Sequence, residues 1–293
     1  MVPTKVKEEE IKLVKQYRQS CAAIERLSYI QKQISDSSAE RVIINVVDTV
    51  YIADGLLLLL AVLPDFSAIY GKSIVIRHNL NNKKMVKVLS DSGVLDYYKR
   101  DGEIRAGQDS IPFMRTNDLD KYADLVKKIM ELAPVQFNDK SYSTMFSKLY
   151  EIFINASTHG KNELGTYTYG TLKKNEFVFT IYDAGIGIKN NVNNFLKKDL
   201  TAQQAMEWAL KSGNSTLISD YPRGAGFSLL EAFAYKNSGK ITLCSDNMIC
   251  IMENGQRAYH RMKTSIRGTL FIMNIKADSE YVYDMDKENS LNE

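Results

Sequence analysis

The segment "ADGLLLLLAVLPDF", residues 53–66, limits what this chain can fold into more than any other stretch. Its centre, "LLLLLAVL" at 56–63, carries no polar side chain, so a helix built from it must be covered on every side. A membrane span needs about 20 apolar residues, far more than this run supplies, so the cover has to be protein. The neighbouring sequence offers that cover. "RVIINVV" reads as a buried strand with its heart at 42–47, "SIVIRH" as a second at 73–78, and "NKKMVKVLSDSG" as a helix over 82–93 closed by Gly93. Strands alternating with helices predict an α/β domain. Asp54 stands where the apolar helix opens, an N-cap position that suits a carboxylate.

At 293 residues the chain exceeds an average domain, and two are expected. Residues 1–132 form the first, 133–277 the second, and 278–293 an acidic tail too poor in core residues to order. Over 5–34, Lys, Glu and Gln alternate with Ile11, Leu13, Val14, Tyr17, Ile24, Leu27 and Ile30, a pattern that predicts an amphipathic helix. Residues 100–118 are polar and irregular, a loop or edge strand. The run 119–133 predicts a helix with Leu119, Tyr122, Leu125, Ile129 and Leu132 on one stripe.

Composition argues against several function classes. The 38 basic and 35 acidic residues nearly balance, so no nucleic-acid partner is indicated. Three cysteines without C-x-x-C spacing argue against a disulfide framework or a zinc knuckle, and fit a reducing, cytoplasmic compartment. The charged start lacks the apolar run of a signal peptide, and no membrane association is expected.

The second half opens with a helix over 141–159. At 100° per residue, Met145, Phe146, Leu149, Ile152, Phe153 and Ala156 share one arc, while Lys148, Glu151, Asn155 and His159 fall within roughly 80° on the other. A hairpin follows, "TYTYGTL" and "EFVFTIYD" around "KKN", then a long loop containing the helix "TAQQAMEWALKSG". Another helix over 227–239 leads into short strands at "KITLC", "MICIM" and "GTLFIMNI", separated by Asp246-Asn247 and Asn254-Gly255.

Four stretches here belong together: "EIFINASTHG" (151–160), "DAGIGI" (183–188), "RGAGFSLL" (223–230) and "RGTLF" (267–271). In this order they resemble the four boxes of the GHKL (Bergerat-fold, histidine kinase-like) ATPases, which include gyrase, histidine kinases and the anti-sigma-factor serine kinases. The resemblance covers about 135–276, and "NASTHG" looks most like the anti-sigma serine kinases. It implies an α/β sandwich with helices on one face of a mixed sheet, binding ATP and Mg²⁺. By that likeness Asn155 is a Mg²⁺ ligand, phosphates and water supplying the rest of the octahedron. Glu151 is the general base. Asp183 accepts the adenine amino group, Gly185 and Gly187 let the backbone approach the base, and Thr269 lines the adenine pocket. Gly224 and Gly226 precede a helix whose N–H groups hold phosphates. Arg223 and Arg267 either neutralise phosphate or are surface arginines. His159 stands where relatives place an aromatic against the nucleotide, or is a helix C-terminal histidine favoured by the macrodipole. Residues 189–222 match the lid over the nucleotide, with Trp208 expected to pack the lid helix against the domain.

Residues 38–98 resemble STAS domains, the fold of anti-sigma-factor antagonists, with Ala53-Asp54 in place of the Asp-Ser that carries the phosphorylatable hydroxyl. The two resemblances imply an ATP- and Mg²⁺-dependent regulatory switch that hydrolyses ATP or phosphorylates a Ser/Thr of a protein partner. The alternative is a non-catalytic nucleotide-binding regulator that docks a partner. The N-terminal helix either pairs with a second copy, giving a homodimer, or folds back on its own sheet. A sensor histidine kinase is disfavoured because His78 and His260 lie off any dimerisation helix. The topoisomerase and mismatch-repair branches are disfavoured for want of a following transducer domain.

Overall fold

A computed structural model describes residues 6–99, 104, 107–133, 135–159, 164–216, 226–276 and 282–283. The described residues begin with strands rather than the helix expected over 5–34. β1 (Glu8–Lys12) and β2 (Gln16–Tyr17) precede α1 (Cys21–Asp36), which starts where the Ser20 side chain accepts from the Ala23 N–H. Ile11 and Leu13 are buried while Val14 is exposed, which is the period of a strand. In β1 the acidic run meets cations across the sheet: Arg41 pairs with Glu8 at 3.0 Å and Arg77 with Glu10 at 3.3 Å.

The rest of the first half follows its pattern. β3 (Arg41–Asn45), β4 (Tyr51–Ile52), α2 (Asp54–Ala61), a 3₁₀ turn at Leu63–Phe66, α3 (Ser67–Tyr70), β5 (Ser73–Arg77), α4 (Lys83–Asp91) and α5 (Val94–Lys99) come in turn. β1, β3 and β5 form a parallel sheet in the order β1-β3-β5, and β2 pairs with β4. The cap of α2 is Ala53, and Asp54 is the first helical residue, without a side-chain cap hydrogen bond. Its carboxylate faces the other half of the molecule instead, 2.6 Å from Lys173 Nζ.

The second half begins earlier than residue 133. β6 (Ser110–Thr116) pairs with β8, so residues before that boundary belong to its sheet. α6 (Leu119–Leu132), β7 (Gln136–Phe137), α7 (Asp139–His159), β8 (Thr166–Lys173), β9 (Glu176–Asp183), α8 (Gly187–Leu196), α9 (Ala202–Ala209), α10 (Gly226–Lys236), β10 (Lys240–Glu253), β11 (Gln256–Lys276) and β12 (Val282–Tyr283) follow. Within α6, Leu119 is exposed, and Tyr122, Leu125, Val126 and Ile129 carry the buried stripe. The five-stranded sheet runs β10-β11-β9-β8-β6, antiparallel at every described pair. "KITLC" and "MICIM" are one strand with a bulge at Asp246 (φ 55°). Part of the tail expected to be disordered is ordered: Val282–Tyr283 pairs in parallel with β7.

Both faces of the large sheet are buried, and alternate residues of each strand go to different cores. On β9, Phe177, Phe179 and Ile181 pack under α6, α7 and α10, while Val178 and Tyr182 face α1 and α2. β11 divides likewise, Phe271, Met273 and Ile275 to one side and Leu270 and Ile272 to the other. This explains the fate of the opening leucine run. Leu56 to Leu63 are at most 1% exposed, in one apolar cluster with the parallel sheet and the back of the antiparallel one. The chain is therefore a mixed α/β protein. No helix among the described residues is long and apolar enough to cross a membrane.

Candidate functional site

α7 supplies one wall. Asn138 Oδ1 accepts from the Ser141 N–H at its start, and Met145, Leu149, Ile152 and Phe153 anchor its core side. Its polar stripe then faces an open cleft, lined by Lys148, Glu151 and Asn155. Lys148 Nζ stands 3.2 Å from Glu151 Oε2, with the two side chains only 16% and 18% exposed. Among the described residues the Asn155 amide has no hydrogen-bond partner, and so it is available to a ligand.

The floor is built where β9 ends. Asp183 lies between Thr166 of β8 and Thr269 of β11 and is 5% exposed. Burial pushes its carboxyl up to about 7, held from going higher by the Gly185 N–H at 2.9 Å and by the hydroxyl and backbone of Thr269. Gly268, at φ +80°, makes this approach possible: a Cβ there would stand 1.8 Å from the Asp183 carbonyl oxygen.

α8 has no cap of its own. Ser245 and Asp246, at the bulge of β10, accept from the Ile188 and Lys189 N–H groups at 2.9 and 3.0 Å. Gly187 (φ +78°) fits against the same pair, its missing Cβ 3.0 Å from Asp246 Oδ2. Burial also raises the Asp246 carboxyl, against the Lys189 N–H that lowers it. Neither Ser245 nor Asp246 stood out as a site residue, because "SDN" between two apolar runs reads as a turn. Only the bulge's place beside α8 gives it a purpose.

The remaining walls are apolar. Ile181, Ile188, Val192, Phe227, Leu243 and Phe271 line the cleft. Trp208, expected only to pack its helix, reaches the cleft as well and meets Phe195 with ring centroids 5.9 Å apart. The rim adds Asn191, Asn214, Ser215 and Thr216, the first donating to Thr216 Oγ1 at 3.1 Å. The cleft holds a cavity of about 140 Å³ and is partly open to solvent.

Of the residues singled out by sequence, Glu151, Asn155, Asp183, Gly187 and Thr269 meet in this cleft. Gly185 and Arg267 do not. They line a shallow pocket with Asp246, and the Arg267 guanidinium donates to the Ala184 carbonyl at 2.9 Å. Of the two alternatives left open for Arg267, the observed contact is structural, a bond to the loop that follows Asp183. Gly226 opens α10. His159 closes α7, but its side chain lies outside the described residues, as do Arg223 and Gly224. Lys148 and Glu151 were both visible on the polar stripe, yet their pairing was not. No three His, Cys, Asp or Glu side chains are grouped to hold a metal among the described residues. A Mg²⁺ ion would fit only as a ligand's companion, taking one oxygen from Asn155 and the rest from phosphates and water.

No protein-family model matches the chain, and no curated protein matches it. Among solved structures it is similar to the 43K ATPase domain of Thermus thermophilus gyrase B in complex with an aminocoumarin, at 15% identity and a TM-score of 0.29. That likeness covers 58% of this chain and 44% of the other, less than half of its length.

Proposed function

We propose that the cleft binds ATP with Mg²⁺ and that the chain is a regulatory switch of the GHKL ATPase type. One observation carries the reading. Residues from all four sequence boxes, Glu151 and Asn155, Asp183 and Gly187, Phe227, and Thr269 and Phe271, line one cleft although they are far apart in sequence. Asp183 is the buried acceptor for the adenine amino group, with Thr269 beside it. The apolar side chains of Ile181, Ile188 and Phe271 exclude water from the base.

Glu151 is the group that takes a proton. As the nucleophile's oxygen bonds to the γ-phosphorus, the bond to the β,γ-bridging oxygen breaks and ADP leaves with that electron pair. The nucleophile's proton passes to the Glu151 carboxylate. The nucleophile is water or a Ser/Thr hydroxyl of a protein partner, and the "NASTHG" likeness to anti-sigma serine kinases favours the hydroxyl. Mg²⁺, when bound, neutralises charge on the phosphates. The first half is then a STAS-like regulatory unit, or the contact of a homodimer, in a cytoplasmic protein.

A second reading has its own support. Lys148 occupies Glu151 Oε2, which suits a pocket that binds nucleotide and acts by docking a partner without turnover.

Calorimetry of ATP with and without Mg²⁺, on wild type, Asp183→Asn and Asn155→Ala, tests the proposal. Binding is expected to be lost in Asp183→Asn and to lose its Mg²⁺ dependence in Asn155→Ala. Binding absent from wild type, or untouched by both changes, would remove the reading. Phosphate release that depends on Glu151 separates turnover from docking alone.

A further inference from the structure

We infer that Lys148 is a ligand for the terminal phosphate of a nucleoside triphosphate, and that its ion pair with Glu151 is a latch which only a triphosphate opens. The inference rests on the ATP reading of the cleft and names what regulates that site.

Charge in the cleft points to Lys148. Among the described residues that line it, Lys148 is the sole cation, set against the Glu151 carboxylate and the buried Asp183 carboxyl. Among those residues Lys148 is therefore the one group whose charge attracts a polyanionic ligand. Yet Lys148 is already committed, its ammonium 3.2 Å from Glu151 Oε2 and both side chains largely shielded from solvent. While it donates there, that oxygen is closed to a nucleophile's proton.

Geometry names the phosphate. A carboxylate that takes the nucleophile's proton has to lie next to the γ-phosphorus, because that is where the nucleophile arrives. An ammonium in contact with the same carboxylate is then within reach of the γ-phosphate oxygens. Lysine's flexible four-carbon stem carries its charge from one oxygen to another without moving the helix. ADP presents no γ-phosphate, so it leaves the pair closed. ATP draws the ammonium onto the terminal phosphate and uncovers the Glu151 oxygen at the moment the substrate that needs it is in place.

The test uses the full chain. ATP, ADP and adenosine are titrated in Mg²⁺, followed by calorimetry and by the emission of Trp208, the chain's single tryptophan and a cleft residue. The proteins are wild type, Lys148→Met, Lys148→Arg and Glu151→Gln. Lys148→Met is expected to weaken ATP about tenfold, the loss of one charge-assisted contact, and to leave ADP and adenosine within about twofold. Lys148→Arg should retain most of the preference for ATP. Glu151→Gln, which removes the carboxylate charge that holds the ammonium, should raise the preference for ATP over ADP, and it tests the latch even if Lys148→Met fails to fold. Equal losses for ATP and ADP in Lys148→Met, or an unchanged ATP/ADP ratio in Glu151→Gln, would overturn the latch and leave ATP binding standing. A wild type that binds none of the three would overturn both.

Discussion

Gly268 is pressed so closely against Asp183 that a side chain of one carbon would stand 1.8 Å from the Asp183 carbonyl oxygen. The contact fixes the end of β9, where the carboxylate of the same residue faces the cleft. Backbone conformation adds to the constraint, since Gly268 has φ +80°. Gly268→Ala is expected to destabilise the protein by at least about 3 kcal/mol, from overlap plus left-handed strain. Gly71 is the control: its φ is +63°, but nothing lies within 4 Å of its absent Cβ. Gly71→Ala should cost only about 1 kcal/mol. Urea unfolding of the two variants reads the difference, and similar losses would show that strain alone governs both positions.

The Asp183 carboxyl gives stability a pH dependence with a defined sign. Its folded value, about 7, exceeds the ordinary 3.8, so between those values the folded state holds a proton that the unfolded state has lost. Stability should therefore fall as pH rises from about 4 to about 7, and change little above, at about 1.4 kcal/mol per unit at the steepest. Asp246, also raised by burial, contributes the same sign more weakly. Asp183→Asn should flatten most of the slope between pH 5 and pH 7.5 in denaturant unfolding. An unaltered slope would assign it to Asp246 or to other groups.

Local patterns predicted what local physics decides. The arc of α7 that carries Glu151 and Asn155, the β8–β9 hairpin and the apolar helix at 56–63 were all legible, because period and turn chemistry are written within a few residues. Tertiary pairing decided the rest. Glu8 to Glu10 look like a helix's solvated face until Arg41 and Arg77 are seen beside them in the sheet. Gly268 is an ordinary strand glycine until Asp183 is found against it. Arg267 reads equally as a phosphate ligand or a surface arginine in the sequence, and only the fold brings its guanidinium to the Ala184 carbonyl. The boxes thus located the cleft, while the residues that hold its shape come from elements whose proximity no spacing announces.

The two halves should unfold together. Asp65, from the first, accepts hydrogen bonds from Tyr97 at 2.8 Å and from Tyr167 of the central sheet at 2.7 Å, with Arg115 at 3.7 Å. The same apolar cluster contains Leu56 to Leu63 and Tyr182, Leu270 and Ile272. Asp65→Ala removes the charged acceptor that Tyr97 and Tyr167 share and is expected to cost roughly 2–4 kcal/mol. One unfolding transition should persist by both fluorescence and circular dichroism. Two resolved transitions would mean that the halves are separately stable.

The start of α8 depends on a strand distant in sequence. Ser245 Oγ accepts from Ile188 and donates to the Gly268 carbonyl at 2.9 Å, so one hydroxyl ties the helix to the glycine that fixes Asp183. Asp246 Oδ2 accepts the next N–H, from Lys189. Removing either acceptor should act as loss of an N-cap does, costing about 1 kcal/mol for each of Ser245→Ala and Asp246→Ala. The two side chains also touch each other, at 3.3 Å, so the double variant should depart from the sum of the single ones. Hydrogen exchange at the Ile188 and Lys189 amides gives the sharper reading. Each variant should speed exchange at its own amide first, with little change at the β8–β9 hairpin. Uniform acceleration across the chain would instead show a global loss of stability, and unchanged rates at both amides would show that α8 holds its first turn without β10.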